Sequence, residues 1–576
     1  MPVPWAQALA RTGFVPNIVT MPNRSSDDLF QLIHSLQKAE KRNFKLYITR
    51  NSANEDLKIV QLFDALDKMR DYDEALLLRK VPSIKKQQLS NAKAHLYRQL
   101  LASLRLLSND ENIDIQLHEQ LDYARILYNK GLYLQSLRIL ERLKETARSY
   151  NQDSFLIQIL SLEKKIEVLH ITRSMAGRAE RLTQEAQEIN EKRRIITHLS
   201  NLALQLYSWY IQNGHARNEQ DETDVKEFFR YSVNRALRVA AKHLVPGIDT
   251  TLPEGTTAAE LARMGVSAEA LAKMGFYEAL YLYQSYMWFA FIRQDFIQYY
   301  RYVQKWVDLF HQNPQMIQVE TGHYIKGLHN LLNAHFDLRN FSKFQDTLER
   351  FQAFTDSDVV QRSHNNRVQT FIYLTTARIN QHFMVGTFRE GLELVPYVEE
   401  MLHAYEPFID RHRVLVFYYK IASLYFGSGD FERCIDYLHK IIHWKVDLRN
   451  DLQCYARLLH LLAHYELGNY ELMEHLVRSV YRYMAKMQNL TVIEEQMFAF
   501  LRQHFHHSPR RVHEAFRALL ESMKRYEKSR FETRAFAYLD IISWLEGKVT
   551  QKPMARVIRE KYEASKRRAE KQLNKE

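Results

Sequence analysis

Apolar residues recur every three or four positions over long stretches of this chain, the period of one helix face. Val414, Tyr418, Ile421 and Tyr425 mark one such stripe, and Phe431, Cys434, Ile435, Leu438, Ile441 and Ile442 mark the next. Between them stands GSGD, Gly427 to Asp430. A dinucleotide loop needs a third glycine and a preceding strand, but Glu432 occupies the third position and the flanking pattern is helical. The segment therefore reads as a turn between two helices. Gly427 or Gly429 is expected to take the left-handed conformation and Asp430 to cap the second helix.

The arrangement recurs. Two aromatics five residues apart bracket a short polar turn at Tyr128/Tyr133, Phe291/Phe296, Phe336/Phe341, Phe383/Phe388, Phe426/Phe431, Tyr465/Tyr470 and Tyr526/Phe531. From Phe296 the second ring returns after 45, 47, 43, 39 and then 61 residues, spacings that signal stacked helical hairpins. The first ring is expected to close one helix and the second to open the next.

These residues resemble the tetratricopeptide repeat family. LYFGSGDFERCIDYLHKII carries that family's turn residues Gly429 and Asp430, its aromatic Phe431, its small residue Cys434 and the apolar positions Leu438 and Ile441. Tyr418, Ile421, Ala422 and Tyr425 match its first helix. ARILYNKGLYLQSLRIL matches through Ala124, Gly131, Tyr133, Ser136 and Leu140, and RDYDEALLL through Tyr72 and Ala75, with Arg70 in the glycine position. Phe344 and Arg534 replace the small residue elsewhere, and most intervals exceed the family's usual repeat, so these are degenerate repeats with long helices. The resemblance covers about Asp56–Leu143 and Tyr281–Trp544. It implies an all-α fold, an α-solenoid of antiparallel hairpins.

Along the chain, residues 1–26 are expected to be a disordered extension without a signal peptide, 27–110 an N-terminal helical region or cap, and 111–244 degenerate helical repeats. Residues 245–275 contain the near-copies AELARMG and AEALAKMG and are expected to be an insertion with short helices. Residues 276–545 form the main array and 546–576 a basic C-terminal helix or tail. GHARNEQDETDVKE, Gly214 to Glu227, is polar enough to be expected as a solvated loop. Thr491 and Glu494 form a capping-box pair ahead of TVIEEQMFAFLRQHF.

Composition agrees with helices. The 576 residues include only 16 glycines and 12 prolines, which disfavours an all-β fold, and 46% hydrophobic residues, enough for extensive burial. Two cysteines, Cys434 and Cys454, build neither a disulfide framework nor a zinc site, so a cytoplasmic setting is expected. No stretch is apolar enough to span a bilayer. The net charge is +12, and the tail from Gln551 supplies nine basic residues against four glutamates. That tail reads as a solvated, frayed helix.

Catalytic signatures are absent: no Walker loop, HExxH, GxSxG or EF-hand loop. His504, His506 and His507 lack partners for a ligand shell and read as a helix end before Ser508 and Pro509. Neither a metal, a cofactor nor enzymatic activity is expected. If the family resemblance holds, first helices line a concave groove. Its candidate residues are Tyr281, Gln284, Trp288, His329, Asn333, Tyr373, Thr376, Asn380, Tyr419 and Ser423, a mixture of rings and polar groups suited to a protein segment. Asn330 and Asn333 lack the lysines of a carboxylate clamp. The expected role is a non-enzymatic scaffold binding a protein or peptide partner. The alternative is a regulator that contacts nucleic acid through Arg79, Lys80, Lys85, Lys86, Lys93, Arg98 and Arg105 or through the tail, although no helix-turn-helix accompanies them.

Overall fold

The computed structural model describes residues 28–49, 54–108, 112–170, 177–245, 252–253, 255–444, 450–487, 490–504, 509–526, 529 and 540–573. The expected extension at 1–26 lies outside them, as do His506, His507, Ser508, Phe531 and Arg534. Every regular element among the described residues is helical, and none is a strand, so the fold is all-α. Among the described residues no helix is long and apolar enough to cross a membrane.

The chain divides into two units, Met1–Glu119 and Gln120–Glu576. The first holds α1 (Asp28–Ser35), α2 (Lys38–Thr49), α3 (Asn54–Asp67), α4 (Glu74–Lys80) and α5 (Lys86–Ser108). These close around their own core of Ile33, Phe44, Leu62, Phe63, Leu66, Leu77, Leu96 and Leu100. Asp73 starts α4 by accepting from the N–H groups of Ala75 and Leu76 at 2.8 and 3.0 Å.

α6 (Ile113–Asn129) contains the point of division. Then come α7 (Tyr133–Ser149), α8 (Asp153–Leu169), α9 (Arg178–Asn213), α10 (Glu219–Leu244), α11 (Ala258–Arg263) and α12 (Ala268–Ala272). The expected loop at 214–227 is helical from Glu219 onward. Asn218 caps Asp221 at 2.8 Å, and α10 begins at Glu219, because Glu219, Asp221 and Glu222 favour the positive end of a helix. What remains of the loop is pinned by Ala216 N–H to Ile292 O at 2.8 Å and by His215 Nδ1 with Phe291 O at 2.8 Å. The near-copies form α11 and α12, joined at Gly265 with φ +78°, and their Leu261, Val266 and Leu271 are buried in the neighbouring core.

The main array follows as α13 (Phe276–Ile292), α14 (Phe296–Gln312), α15 (Thr321–Asp337), α16 (Phe341–Thr355), α17 (His364–Val385), α18 (Phe388–Gly391), α19 (Val395–Ala404), α20 (Arg411–Ser428), α21 (Phe431–Ile442), α22 (Asn450–Glu466) and α23 (Tyr470–Lys486). α24 (Val492–His504), α25 (Pro509–Lys524), α26 (Ile541–Thr550) and α27 (Met554–Leu573) complete it. Packing runs in chain order: α13 on α14, α14 on α15, α15 on both α16 and α17, α17 on α20, and α20 on both α21 and α22. Helices such as α20 bury residues around most of their circumference, whereas α21 buries the stripe Cys434, Leu438 and Ile441 and exposes Glu432, Arg433 and Asp436.

The aromatic turns share one construction. In six of them the second ring, from Tyr133 to Tyr470, is the first residue of its helix. Two positions earlier stands a left-handed residue: Gly131, Gln294, Arg339, Gly386, Gly429 or Gly468, with φ from 53° to 89°. The N–H of the next residue donates to the carbonyl five positions back at 2.9–3.1 Å, the bond that closes a Schellman turn. That same residue then serves as the cap position of the following helix. Asp295, Asn340 and Asp430 accept from the N–H three residues on at 3.2, 3.4 and 3.2 Å. Of the two glycines in GSGD, Gly429 makes the turn and Gly427 lies inside α20. The rings of Phe426/Phe431, Phe383/Phe388 and Tyr465/Tyr470 meet with centroids 5.3, 5.9 and 6.1 Å apart. Tyr128 and Tyr133 both meet His170 instead, at 6.2 and 3.7 Å.

The tail differs from a solvated, frayed helix. α27 packs on α17, α20 and α26, buries Val557 and Ile558, and sets Tyr562 edge-on against Phe341 at 4.8 Å. Its charge is largely answered nearby: Lys552 pairs with Glu560 at 2.8 Å and Lys561 with Glu546 at 2.7 Å. Arg559 and Arg567 both reach Glu563, at 3.7 and 3.6 Å. The Thr491–Glu494 pair forms as expected, with Thr491 N–H donating to the Glu494 carboxylate at 2.8 Å.

Candidate functional site

The candidate residues lie on α13, α15, α17 and α20, and contacts between successive helices link seven of the ten into one strip. Gln284 Nε2 meets His323 Nδ1 at 3.1 Å, and Tyr281 stands edge-on to the same imidazole at 6.1 Å. Trp288 lies under Lys326, whose Nζ is 5.7 Å from its ring and 4.8 Å from that of Tyr207 on α9. His329 stacks on Tyr373 with centroids 4.2 Å apart, and Asn333 Nδ2 contacts His329 Nε2 at 3.1 Å. Arg413 reaches the Tyr373 hydroxyl at 3.2 Å, and Asn380 Oδ1 accepts from Lys420 Nζ at 2.5 Å.

The other three behave differently. Tyr419 is buried in the hydrophobic core, and burial pushes its phenol well above the usual range, so it is a packing residue rather than a lining one. Ser423 donates to Tyr419 O at 2.9 Å and buried Thr376 to Ile372 O at 2.7 Å, so both hydroxyls are spent on their own helices.

Residues that sequence reasoning passed over give the strip its charge. Among the described residues Lys326 has no hydrogen-bond or ion-pair partner, only the two rings below it. Burial, then Arg413, lowers its pKa. Burial pulls Lys420 down to about 8, with Asp337 opposing. His329 falls to about 3, through burial first and then Lys326, Lys420 and Arg413, so its ring is neutral. Asp337 is raised to about 7 by burial. These cations were legible as a helix-period stripe, Lys326–His329–Asn333 and Arg413–Lys420, which a search restricted to rings and amides misses.

Elsewhere, His504 ends α24 with its ring 5.0 Å from Phe500. In the first unit Arg79, Lys80, Lys85, Lys86, Arg98 and Arg105 are exposed, whereas Lys93 is half-buried, donating to the Tyr72 hydroxyl at 2.9 Å and lying 4.7 Å above its ring. Cys434 and Cys454 are both buried and neither is in a disulfide, and burial raises the thiol of Cys434 well above the usual range.

No protein-family model, no curated protein and no solved structure matches the chain.

Proposed function

We propose that this protein is a non-enzymatic interaction scaffold of the cytoplasm, a tetratricopeptide-like α-solenoid whose first helices form a concave groove for a segment of a partner protein. The observation that carries this reading is the strip from Tyr281 to Lys420. Four successive first helices contribute rings and amides to one continuous line of contacts. Gln284 and Asn380 are buried within the strip, so an extended peptide would meet its half-buried rings and the Asn333 amide. The repeated Schellman turns support the solenoid, since one turn geometry used at regular intervals sets each hairpin against the last in a similar way.

The test is photocrosslinking in native cells from benzoylphenylalanine placed at Trp288 and, separately, at Tyr373. The expected result is one recurrent protein captured from both positions, and lost when the unsubstituted position of the pair is changed to alanine. Capture from neither position, in a protein with an unchanged helical spectrum, overturns the groove.

A further inference from the structure

We propose that the partner segment carries a phosphate group, held by Lys326, Arg413 and Lys420 beside the His329–Tyr373 stack. This rests on the strip being the partner-binding face and names the chemistry that face selects. Two independent features of the geometry point to it. The first is Lys326, a half-buried ammonium that lies over the Tyr207 and Trp288 rings at 4.8 and 5.7 Å without a hydrogen-bond or ion-pair partner among the described residues. A cation withdrawn from water without a carboxylate is costly, and an incoming anion removes that cost. The second is convergence. Arg413, on the facing α20, holds the Tyr373 hydroxyl at 3.2 Å, and Lys420 from the same helix reaches Asn380 at 2.5 Å. The ring that Arg413 holds stacks on His329 at 4.2 Å, and His329 stands three residues after Lys326 on α15.

The acids nearby do not balance them. Asp410, itself exposed, pairs with Arg413 at 3.2 Å. Asp337 faces Lys420 with a carboxyl that burial drives toward its neutral form. A lone carboxylate supplies one negative charge and two oxygens, and leaves excess positive charge around the stack. A phosphate monoester supplies nearly two charges and three acceptor oxygens, which suits cations contributed by the facing helices α15 and α20. Tyr207 and Trp288 then flank the residue that bears it.

Isothermal titration of the full-length chain with inorganic phosphate at fixed ionic strength tests this, with acetate as competitor. Saturable one-to-one binding is expected, weakened at least tenfold by Lys326→Met and by Lys420→Met. The same binding should be unchanged by Lys566→Met on the exposed face of α27, and acetate should not displace phosphate. Lys326→Met removes an unpaired, partly desolvated charge, so its thermal midpoint is expected to equal or exceed that of the parent, which separates lost binding from lost folding. Three results overturn the inference: no saturable binding, an affinity indifferent to both lysine variants, or displacement by equimolar acetate. If crosslinking from Trp288 and Tyr373 persists while phosphate fails to bind, only the phosphate is wrong. If crosslinking fails as well, the reading beneath it falls too.

Discussion

Gly427 and Phe388 occupy one space: a β-carbon on Gly427 would lie 2.2 Å from Cδ1 of the Phe388 ring. The glycine belongs to the last turn of α20, and the ring opens α18 from the preceding hairpin. Gly427→Ala must move a buried ring or the helix, at a cost of about 1–3 kcal/mol. Urea unfolding of Gly427→Ala, Phe388→Leu and the double variant checks it. The alanine should cost much less in the Phe388→Leu background, and simple additivity would show that the contact does not limit packing.

The turns offer the opposite sign. Gln551 sits at φ 55° after α26 with an exposed side chain, a conformation that costs most residues about 1–2 kcal/mol and glycine almost nothing. Gln551→Gly is expected to raise stability by about 0.5–1 kcal/mol, after the extra freedom of glycine in the unfolded chain is subtracted. Gly429→Ala, at φ 89° with open space around it, should lose about 1 kcal/mol. Denaturant midpoints measure both.

Acid should destabilise the array. Burial holds His460 at about 3, assisted by His464, His439, Arg457 and His443, and holds His323 at about 4. The unfolded chain protonates these rings near pH 6.5, so their stabilising effect is complete above that value. It is lost as pH falls toward 4, by up to about 1.4 kcal/mol per pH unit for each ring. His460 Nε2 lies 3.1 Å from His439 Nε2 and 3.3 Å from His464 Nε2, so a proton there would face two other imidazoles. His460→Gln should recover about 2 kcal/mol of the loss between pH 7 and 5, as read from urea midpoints at both values.

Docking of the terminal helix depends on Gly386. Its φ is +78°, and a β-carbon there would stand 2.5 Å from Ala555 O, a backbone atom that cannot turn aside. Gly386→Ala is expected to raise hydrogen exchange across α27 while leaving α7 and α8 unchanged. Ile558→Ala, which empties a buried site, should do the same at a cost of about 2–5 kcal/mol.

Much of this architecture was legible because a turn built one way leaves a fixed interval in the sequence. The five-residue ring spacing survives even where Gln294 and Arg339 replace the turn glycine, and it located six helix starts to the residue. The choice between Gly427 and Gly429 was not legible, since one glycine answers a backbone angle and the other a ring from a different hairpin. Polar composition misled at 214–227, where an acidic run under an asparagine cap is a helix start rather than a loop. Along the strip, rings and amides were found but Tyr419 was assigned to the groove lining, because α20 is apolar on nearly all sides and periodicity alone does not say which side is open. Lys326, Arg413 and Lys420 were passed over because charge on a helix usually means solvent.

α27 has a consequence for the order in which this molecule is made. Hairpins that touch only their neighbours can consolidate one after another as the chain leaves the ribosome. The last helix instead grips turns formed by residues 341 and 386, laid down about two hundred positions earlier. Assembly of that region therefore waits for α27, and a chain that stops short of Met554 leaves those two turns uncovered however well everything before them has folded.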